Sequence, residues 1–442
     1  MKVLLSTYSA ETHSSYGKVT RDLWRRLLAL HPECDVVQHG WMHRSDEPVE
    51  WPIESTKTVQ TNQGPMPMPE DKYGQLSFES IVSRLKPDVV WTVSDAFMCE
   101  HMGQYRPRHK FKLVKHIPID GAPVPPHWGD ALRDCDVLVP VTDFGTRALE
   151  PLVGRRWDFI YHGVDTEKFY PVPDEQIERP QAGNMTDKTF VLGFVGHSQW
   201  RKQNWNLFAV TRYLRDGAWI HCKDCERVTL DPYDEIWSKF GPKVTNCWYC
   251  GSSNVERPGP QDIALWYHTF DRANVDINPT KLKMQWNLEG SVIFTGDMKA
   301  DHGIPDAEMP QLFRMFDAYL SLSGAEGFCI PIIEAAASGV PVVYSEYSGQ
   351  AEVGAACGGL PVRPAILQPN FQEPVYRAIA DIGEAVRQVW RLMTNKALYD
   401  SCVARGLQAA KTTFSWDRVA VQWSQVIESL PIRKLKSYGV TL

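Results

Sequence analysis

The chain has 442 residues, 43% of them hydrophobic, 11% aromatic and 23% charged; at roughly 100–200 residues per domain this makes two or three domains, and the composition excludes a disordered, collagen-like or coiled-coil protein. Lys and Arg number 47 against 53 Asp and Glu, a net charge of −6, so there is no chain-wide basic field of the kind a nucleic-acid coat needs. No apolar run approaches the ~20 residues of a membrane-spanning helix, and the opening segment turns polar too soon for a signal peptide, which points to a cytosolic protein without a membrane span.

Lys2 to Ser6 reads as a short buried strand, followed by a polar loop with Ser14, Ser15, Tyr16 and Gly17. Val19, Leu23, Leu27, Leu28 and Leu30 then recur at helical spacing. Strand, small-residue loop and helix form the opening unit of a doubly wound α/β domain. Further strands are expected at 88–93, 112–117 and 136–141, with helical stretches between several of them as a parallel sheet demands. A Pro- and Gln-rich segment, 171–188, reads as a linker, and a second apolar strand at 189–196 opens a second domain. That domain continues with strands at 263–268, 291–295, 318–322 and 340–344. The last helix follows Phe414, with Ser415 as its N-cap. The expected domains are therefore 1–170, 189–413 and a C-terminal helix within 414–442 that packs back on the first domain.

Six of the ten cysteines (Cys34, Cys99, Cys135, Cys329, Cys357, Cys402) are scattered singly. The other four form two Cys-x2-Cys pairs, Cys222 with Cys225 and Cys247 with Cys250, separated by 21 residues. This is the spacing of a four-thiolate zinc site, and four sulfurs leave no open position, so a structural zinc folds a small module at 217–262. The module carries Lys223, Arg227, Lys239, Lys243 and Arg257 against seven carboxylates, which does not support binding to a phosphate backbone. Trp237, Trp248 and Tyr249 could stack on a base, a sugar or a partner; a plain structural brace is the alternative.

The sharpest local signal runs from Gly324 to Pro341. Gly327 frees the backbone and Pro331 suits a first helical turn, so the unfilled amides of that turn can face an anion. Glu326 and Glu334, just over two helical turns apart, offer two acceptors to a polyhydroxyl ligand. This segment resembles the E-x7-E motif of retaining glycosyltransferases of the GT-B fold, of the glycogen-synthase and mannosyltransferase type. The resemblance extends to Gly196-His197-Ser198-Gln199-Trp200-Arg201-Lys202, to Tyr161-His162-Gly163-Val164-Asp165 with Phe169 and Pro171, to Tyr347-Ser348-Gly349-Gln350, and to Phe414-Ser415-Trp416-Asp417.

The resemblance implies two Rossmann-like domains facing a cleft, with a nucleoside-diphosphate sugar held mostly by the C-terminal one and the acceptor by the N-terminal one. Lys202 and Arg201 would neutralise the leaving diphosphate. Glu326 would bond donor-sugar hydroxyls, while the amides of Gly327, Phe328, Cys329 and Ile330 lie near sugar or phosphate and Glu334 holds the ribose. Ser15, Tyr16 and Gly17 match the N-terminal loop that approaches the phosphates. His197 stands where the family usually has Arg, and either Arg201 replaces that charge or the phosphate grip is weaker. His116 and Asp120 compete for the place of the family's histidine beside the reacting sugar. Asp134-Cys135-Asp136 directly precedes a strand and reads as structural, so no catalytic metal is expected. Thr295, Gly296 and Asp297 lie where the family reads the base.

The expected function is transfer of a sugar, with retention, to a hydroxyl acceptor such as a glycan or a lipid-linked sugar. Two alternatives keep the fold: a hydroxylated base in DNA as acceptor, or a non-catalytic zinc-ribbon scaffold.

Overall fold

The computed structural model describes residues 1–42, 48–61, 64–180, 182–231, 244–269, 277–295, 304–370 and 375–431. Trp237, Lys239, Lys243, Gly296 and Asp297 therefore lie outside the described residues. Among the described residues no helix is long and apolar enough to cross a membrane.

The chain divides into two compact units, Met1–Asp165 with Asn370–Val375 and Thr412–Leu442, and Thr166–Pro369 with Tyr376–Lys411. Unit 1 holds a six-stranded sheet of β1 (Lys2–Tyr8), β2 (Asp35–Trp41), β3 (Ile53–Ser55), β4 (Val89–Val93), β5 (Lys112–Ile117) and β6 (Val137–Pro140). These strands lie in the order β3-β2-β1-β4-β5-β6 and every pairing is parallel. Unit 2 repeats the plan with β7 (Phe190–Val195), β8 (Ile263–His268), β9 (Val292–Phe294), β10 (Ala318–Ser321), β11 (Val342–Ser345) and β12 (Leu360–Val362). Its order is β9-β8-β7-β10-β11-β12, again parallel throughout.

Both sheets thus have the strand order of a doubly wound fold, reversing direction of growth between the first and fourth strands. In such sheets ligands bind beyond the carboxyl ends of the strands at that reversal. The sequence therefore has two candidate edges: the loops after β1 and β4 in unit 1, and the loops after β7 and β10 in unit 2.

Helix α1 (Ser15–Leu30) follows β1 and is capped by Ser14, whose hydroxyl accepts from the Gly17 amide at 3.0 Å. A side chain at 17 would sit 2.5 Å from the Ser9 carbonyl, so only glycine fits there. The last helix, Trp416–Ser429, belongs to unit 1, and its cap Ser415 accepts from the Arg418 amide. Its Trp423 meets Trp91 of β4 edge-on at 5.8 Å and the His116 ring of β5 at 5.0 Å. Arg26 on α1 ties the same region together by reaching Asp417 at 2.8 Å and Asp165 at 3.5 Å.

His116 is consequently an interior residue. Its Nδ1 lies 2.9 Å from the Val139 carbonyl and its Nε2 lies 3.3 Å from His162 Nδ1. Burial lowers its pKa to about 4. His39, held between Ser6 and Ser77, is likewise lowered to about 4 by burial, against which Asp71 acts only weakly. Both rings are neutral in the folded protein, whereas an exposed imidazole in the unfolded chain takes up a proton near pH 6.5. Acid therefore favours the unfolded state: stability is full above about pH 6.5 and declines as pH falls towards 4, by about 1.4 kcal/mol per pH unit for each such histidine. Unfolding midpoints measured from pH 7.5 to 4.5 should fall steadily below pH 6.5; a flat profile would refute the assignment.

Candidate active site

The loop after β7 passes through Gly196 and His197 into a single 3-10 turn, Trp200–Lys202, and then into helix α2 (Trp205–Asp216). The loop after β10 runs from Leu322 to Cys329 and enters helix α3 (Ile330–Ala337). The two loops are stitched at the backbone, with the Gly324 amide donating to the Arg201 carbonyl at 2.8 Å. This places the Trp200–Lys202 turn against Glu326, as neighbouring loops at the sheet's switch point must be.

Glu326 is the centre of the arrangement. Its Oε1 accepts from Lys202 Nζ at 2.7 Å and from Ser323 Oγ at 2.8 Å, and its Oε2 lies 2.8 Å from Arg201 NH1. Burial pushes the Glu326 carboxyl up, but the Arg201 and Lys202 charges outweigh it and bring the pKa down to about 2. A buried carboxylate needs this compensation, because an unpaired charge in such a site costs several kcal/mol. Arg201 also donates to the Ala325 carbonyl. With two cations against one carboxylate, the cluster carries one excess positive charge.

Helix α3 adds to that field. Its N-cap, Cys329, makes no side-chain cap hydrogen bond and sits at φ 73°, a left-handed conformation that costs a residue with a β-carbon roughly 1–2 kcal/mol. The Ile332 amide turns back to the Cys329 carbonyl at 3.0 Å, and the start of the helix brings the positive end of its dipole to the site, as in anion sites. Pro331 occupies the first turn, where it has no amide to lose. Glu334 is buried in the middle of α3. Gly327, Phe328 and Cys329 are buried and Ile330 is half-buried.

His197 lies across the same loop, and its pKa is lowered by burial and by the Lys202 and Arg201 charges. Its ring therefore adds no positive charge beside Glu326 at pH 7. The second cation of the site is Arg201.

Three further residues support the Glu326 loop. Ser348 Oγ accepts from the Glu326 amide at 2.9 Å and donates to the Glu326 carbonyl at 3.0 Å. Gln350 spans Ser321 Oγ and the Ser323 carbonyl at 3.1 and 2.7 Å. Ser323 holds the carboxylate directly. A β-carbon at Gly349 would lie 2.2 Å from the Gly327 carbonyl oxygen, so the segment from Tyr347 to Gln350 packs against the Glu326 loop only through glycine. Ser348 and Gln350 lie in the Tyr347–Gln350 segment after β11, which the sequence marks, whereas Ser323, just after β10, carries no such signal.

In unit 1, Tyr16 donates to Asp95 Oδ1 at 2.8 Å, and Asp120 lies close enough to act electrostatically on the same phenol. Asp95, one residue beyond Ser94 at the end of β4, escaped the sequence reading. Its signal was an acid directly after a buried strand. Asp120 is half-buried at the edge of the sheet, whereas its rival His116 is enclosed among Val139, His162 and Trp423. Ser15 is exposed in the first turn of α1, and the capping role belongs to its neighbour Ser14. Asp134 and Asp136 sit at the opposite edge, before β6, where Arg106 pairs with both, at 3.0 and 2.7 Å, and Lys112 reaches Asp136 at 3.0 Å.

Among the described residues, one group of His, Cys, Asp or Glu brings its ligand atoms close enough to share an ion: Cys222, Cys225, Cys247 and Cys250, all within 4.8 Å of one another. Cys222 Sγ lies 3.6 Å from Cys250 Sγ, and Cys225 Sγ lies 3.5 Å from Cys247 Sγ. A tetrahedral zinc with bonds of ~2.3 Å sets its sulfurs about 3.8 Å apart, while a disulfide needs ~2.05 Å; the residues fit zinc. The amides of Arg227, Tyr249, Cys250 and Ser252 hydrogen-bond to these sulfurs, which stabilises thiolates. The module grows from a three-stranded sheet of Trp219–Cys222, Val228–Leu230 and Val255–Glu256. Its Trp219 and Val228 belong to the same buried cluster as Leu192 of β7.

Residues 281–358 match the family described as glycosyl transferases group 1. Over 119 residues the sequence is 29% identical to O-antigen chain mannosyltransferase B of Escherichia coli, a stretch that spans 27% of this chain and 27% of that protein's length. Sucrose-phosphate synthase from Thermosynechococcus elongatus superposes with a TM-score of 0.68 at 16% identity, covering 97% of this chain and 99% of that one. HepE of Anabaena, solved in complex with UDP and glucose, gives 0.66 at 14% identity, covering 97% and 100%. At these identities the structural likeness concerns the fold.

Proposed function

We infer that this chain, which has the GT-B fold and carries a group 1 glycosyltransferase segment, transfers a sugar from a nucleoside-diphosphate sugar to a hydroxyl acceptor with retention at the donor carbon. The observation that carries this reading is the Arg201–Glu326–Lys202 cluster beside the start of α3, at the switch point of the unit 2 sheet. A pair of cations held in place by a buried carboxylate is arranged for a ligand with an anionic and a hydroxylic part.

In the reaction the acceptor oxygen bonds to the sugar's anomeric carbon as the bond from that carbon to the diphosphate breaks, and the acceptor's hydroxyl proton passes to the departing diphosphate. Negative charge grows on the departing diphosphate, and Lys202, Arg201 and the α3 amides are the groups placed to take it up. The same cations neutralise charge that other transferases give to a divalent ion, which supports catalysis without one. Glu326, ionised down to about pH 2, acts as acceptor for sugar hydroxyls, and Glu334 for the ribose. Retention is supported by the Glu326-x7-Glu334 spacing shared with retaining enzymes.

Unit 2 takes the donor, and unit 1, with Asp95, Asp120 and Tyr16 at its own switch point, takes the acceptor. The four-cysteine module holds zinc as a brace on the unit 2 core, through Trp219 and Val228. Ten cysteines without a disulfide support work in the cytosol.

Thermal unfolding in the presence of UDP, GDP, ADP and their sugars tests the reading. One nucleotide family should stabilise the protein selectively, by about 2.7 kcal/mol at a hundredfold excess over its dissociation constant. Indifference to all of them would overturn it.

A further inference from the structure

The carboxyl edge of the unit 1 sheet is lined by a row of rings. Tyr8 ends β1, Trp41 ends β2, and Phe97 stands two residues beyond Asp95. Neighbouring ring centroids are 5.7 Å apart from Tyr16 to Tyr8, 6.2 Å from Tyr8 to Trp41, 5.8 Å from Trp41 to Tyr73 and 5.9 Å from Tyr73 to Phe97. A row that served only the core would close inside it. This one passes through the fully buried Trp41 and ends in solvent, with Phe97 44% exposed.

Polar atoms accompany the rings. Tyr8 and Tyr73 share a hydrogen bond, Tyr16 donates to Asp95, and Asp120 lies near Tyr16. Trp41 Nε1 is buried and has no hydrogen-bond partner among the described residues. Carboxylates beside aromatic faces match one kind of ligand: a pyranose ring, whose C–H face packs on an aromatic ring while its hydroxyls donate to carboxylates. The same carboxylates repel a phosphorylated acceptor, and Lys72 Nζ lies 5.2 Å from the centre of the Tyr73 ring.

We propose that the Tyr73–Phe97 end of the row, together with Asp95 and Asp120, is the acceptor subsite, and that it takes a neutral glycoside by stacking on one sugar ring. This rests on the transferase reading and adds the chemistry of its acceptor. Phe97 is the stacking residue that sets acceptor affinity.

Saturation-transfer NMR on the full chain, with the methyl α- and β-glycosides of glucose, galactose, mannose and N-acetylglucosamine as probes, reads the subsite directly. At least one glycoside should receive saturation, strongest at its ring protons. Phe97→Ala should weaken that signal and raise the acceptor KM about tenfold, and Phe97→Tyr should restore both. Phe97 is half exposed and stands outside the buried cluster of unit 1, so its removal should lower the unfolding midpoint only slightly. Absence of transfer to every glycoside, or a signal unchanged in Phe97→Ala, overturns the assignment. Stabilisation by nucleoside diphosphates separates the two failures: nucleotide binding without glycoside binding removes only the subsite, whereas loss of both removes the transferase reading as well.

Discussion

Lys202→Ala is expected to lower the transfer rate by about 10²–10³-fold and to abolish stabilisation by the cognate nucleoside diphosphate. Lys202 Nζ is part-buried, 2.7 Å from Glu326 Oε1, where water screens its charge weakly and its attraction for a diphosphate is correspondingly strong. Removing it leaves Arg201 alone against Glu326, so the cluster loses its excess positive charge. Lys202→Arg keeps the charge but not the compact geometry and should recover only part of the rate. Glu326 gives the complementary pH signature. Its folded pKa of about 2 lies below the ~4.3 of a free glutamate, so its contribution to stability is complete above about pH 4.3 and is lost as pH falls towards 2. Activity lost between pH 7 and 5 therefore has another source. A Lys202→Ala protein still stabilised by the nucleotide would refute the diphosphate role.

Removal of zinc should have the largest effect on stability. Metal analysis is expected to find one zinc per chain in the wild type and none in Cys247→Ser. Structural zinc contributes on the order of 10–16 kcal/mol in small modules. Here the module shares Trp219 and Val228 with the unit 2 core, and Trp219 meets Trp390 at 5.4 Å. Chelation should therefore lower the unfolding midpoint of unit 2 and change the tryptophan fluorescence, and zinc should reverse both. A metal-free protein with an unaltered midpoint would show that the four sulfurs carry no structural ion.

The central strands were legible because a parallel sheet covered on both faces demands continuous apolar runs. Val89–Val93, Phe190–Val195 and Ile263–His268 are such runs. β2 was missed for the same reason in reverse: Gln38 and His39 interrupt it, yet both are buried, Gln38 bonding to the Ala10 amide and Trp51 and His39 to Ser6 and Ser77. Propensity does not show polar residues satisfied by distant partners. The site divides the same way. Lys202, Glu326 and Glu334 were legible in motifs with fixed spacing. Ser323 carried no motif, and the hold of Ser348 on the Glu326 backbone was not legible, because both roles come from where the loops meet. Strand periodicity did not place His116, since Lys115 and His116 are adjacent and both buried. Lys115 is satisfied by the Cys99 and Ala131 carbonyls.

Apart from Asn370–Val375, the chain leaves unit 1 at Asp165 and returns to it at Thr412, and this connectivity sets an order of events during synthesis. At ~5–20 residues per second, the roughly 250 intervening residues take tens of seconds to emerge. Through that interval Trp91 and His116 wait for Trp423, so an apolar surface on the first-made half stays uncovered while the second half folds. The first unit to be translated is thus the last to be completed, and a nascent chain arrested before the final helix presents chaperones with a bare tryptophan-lined face.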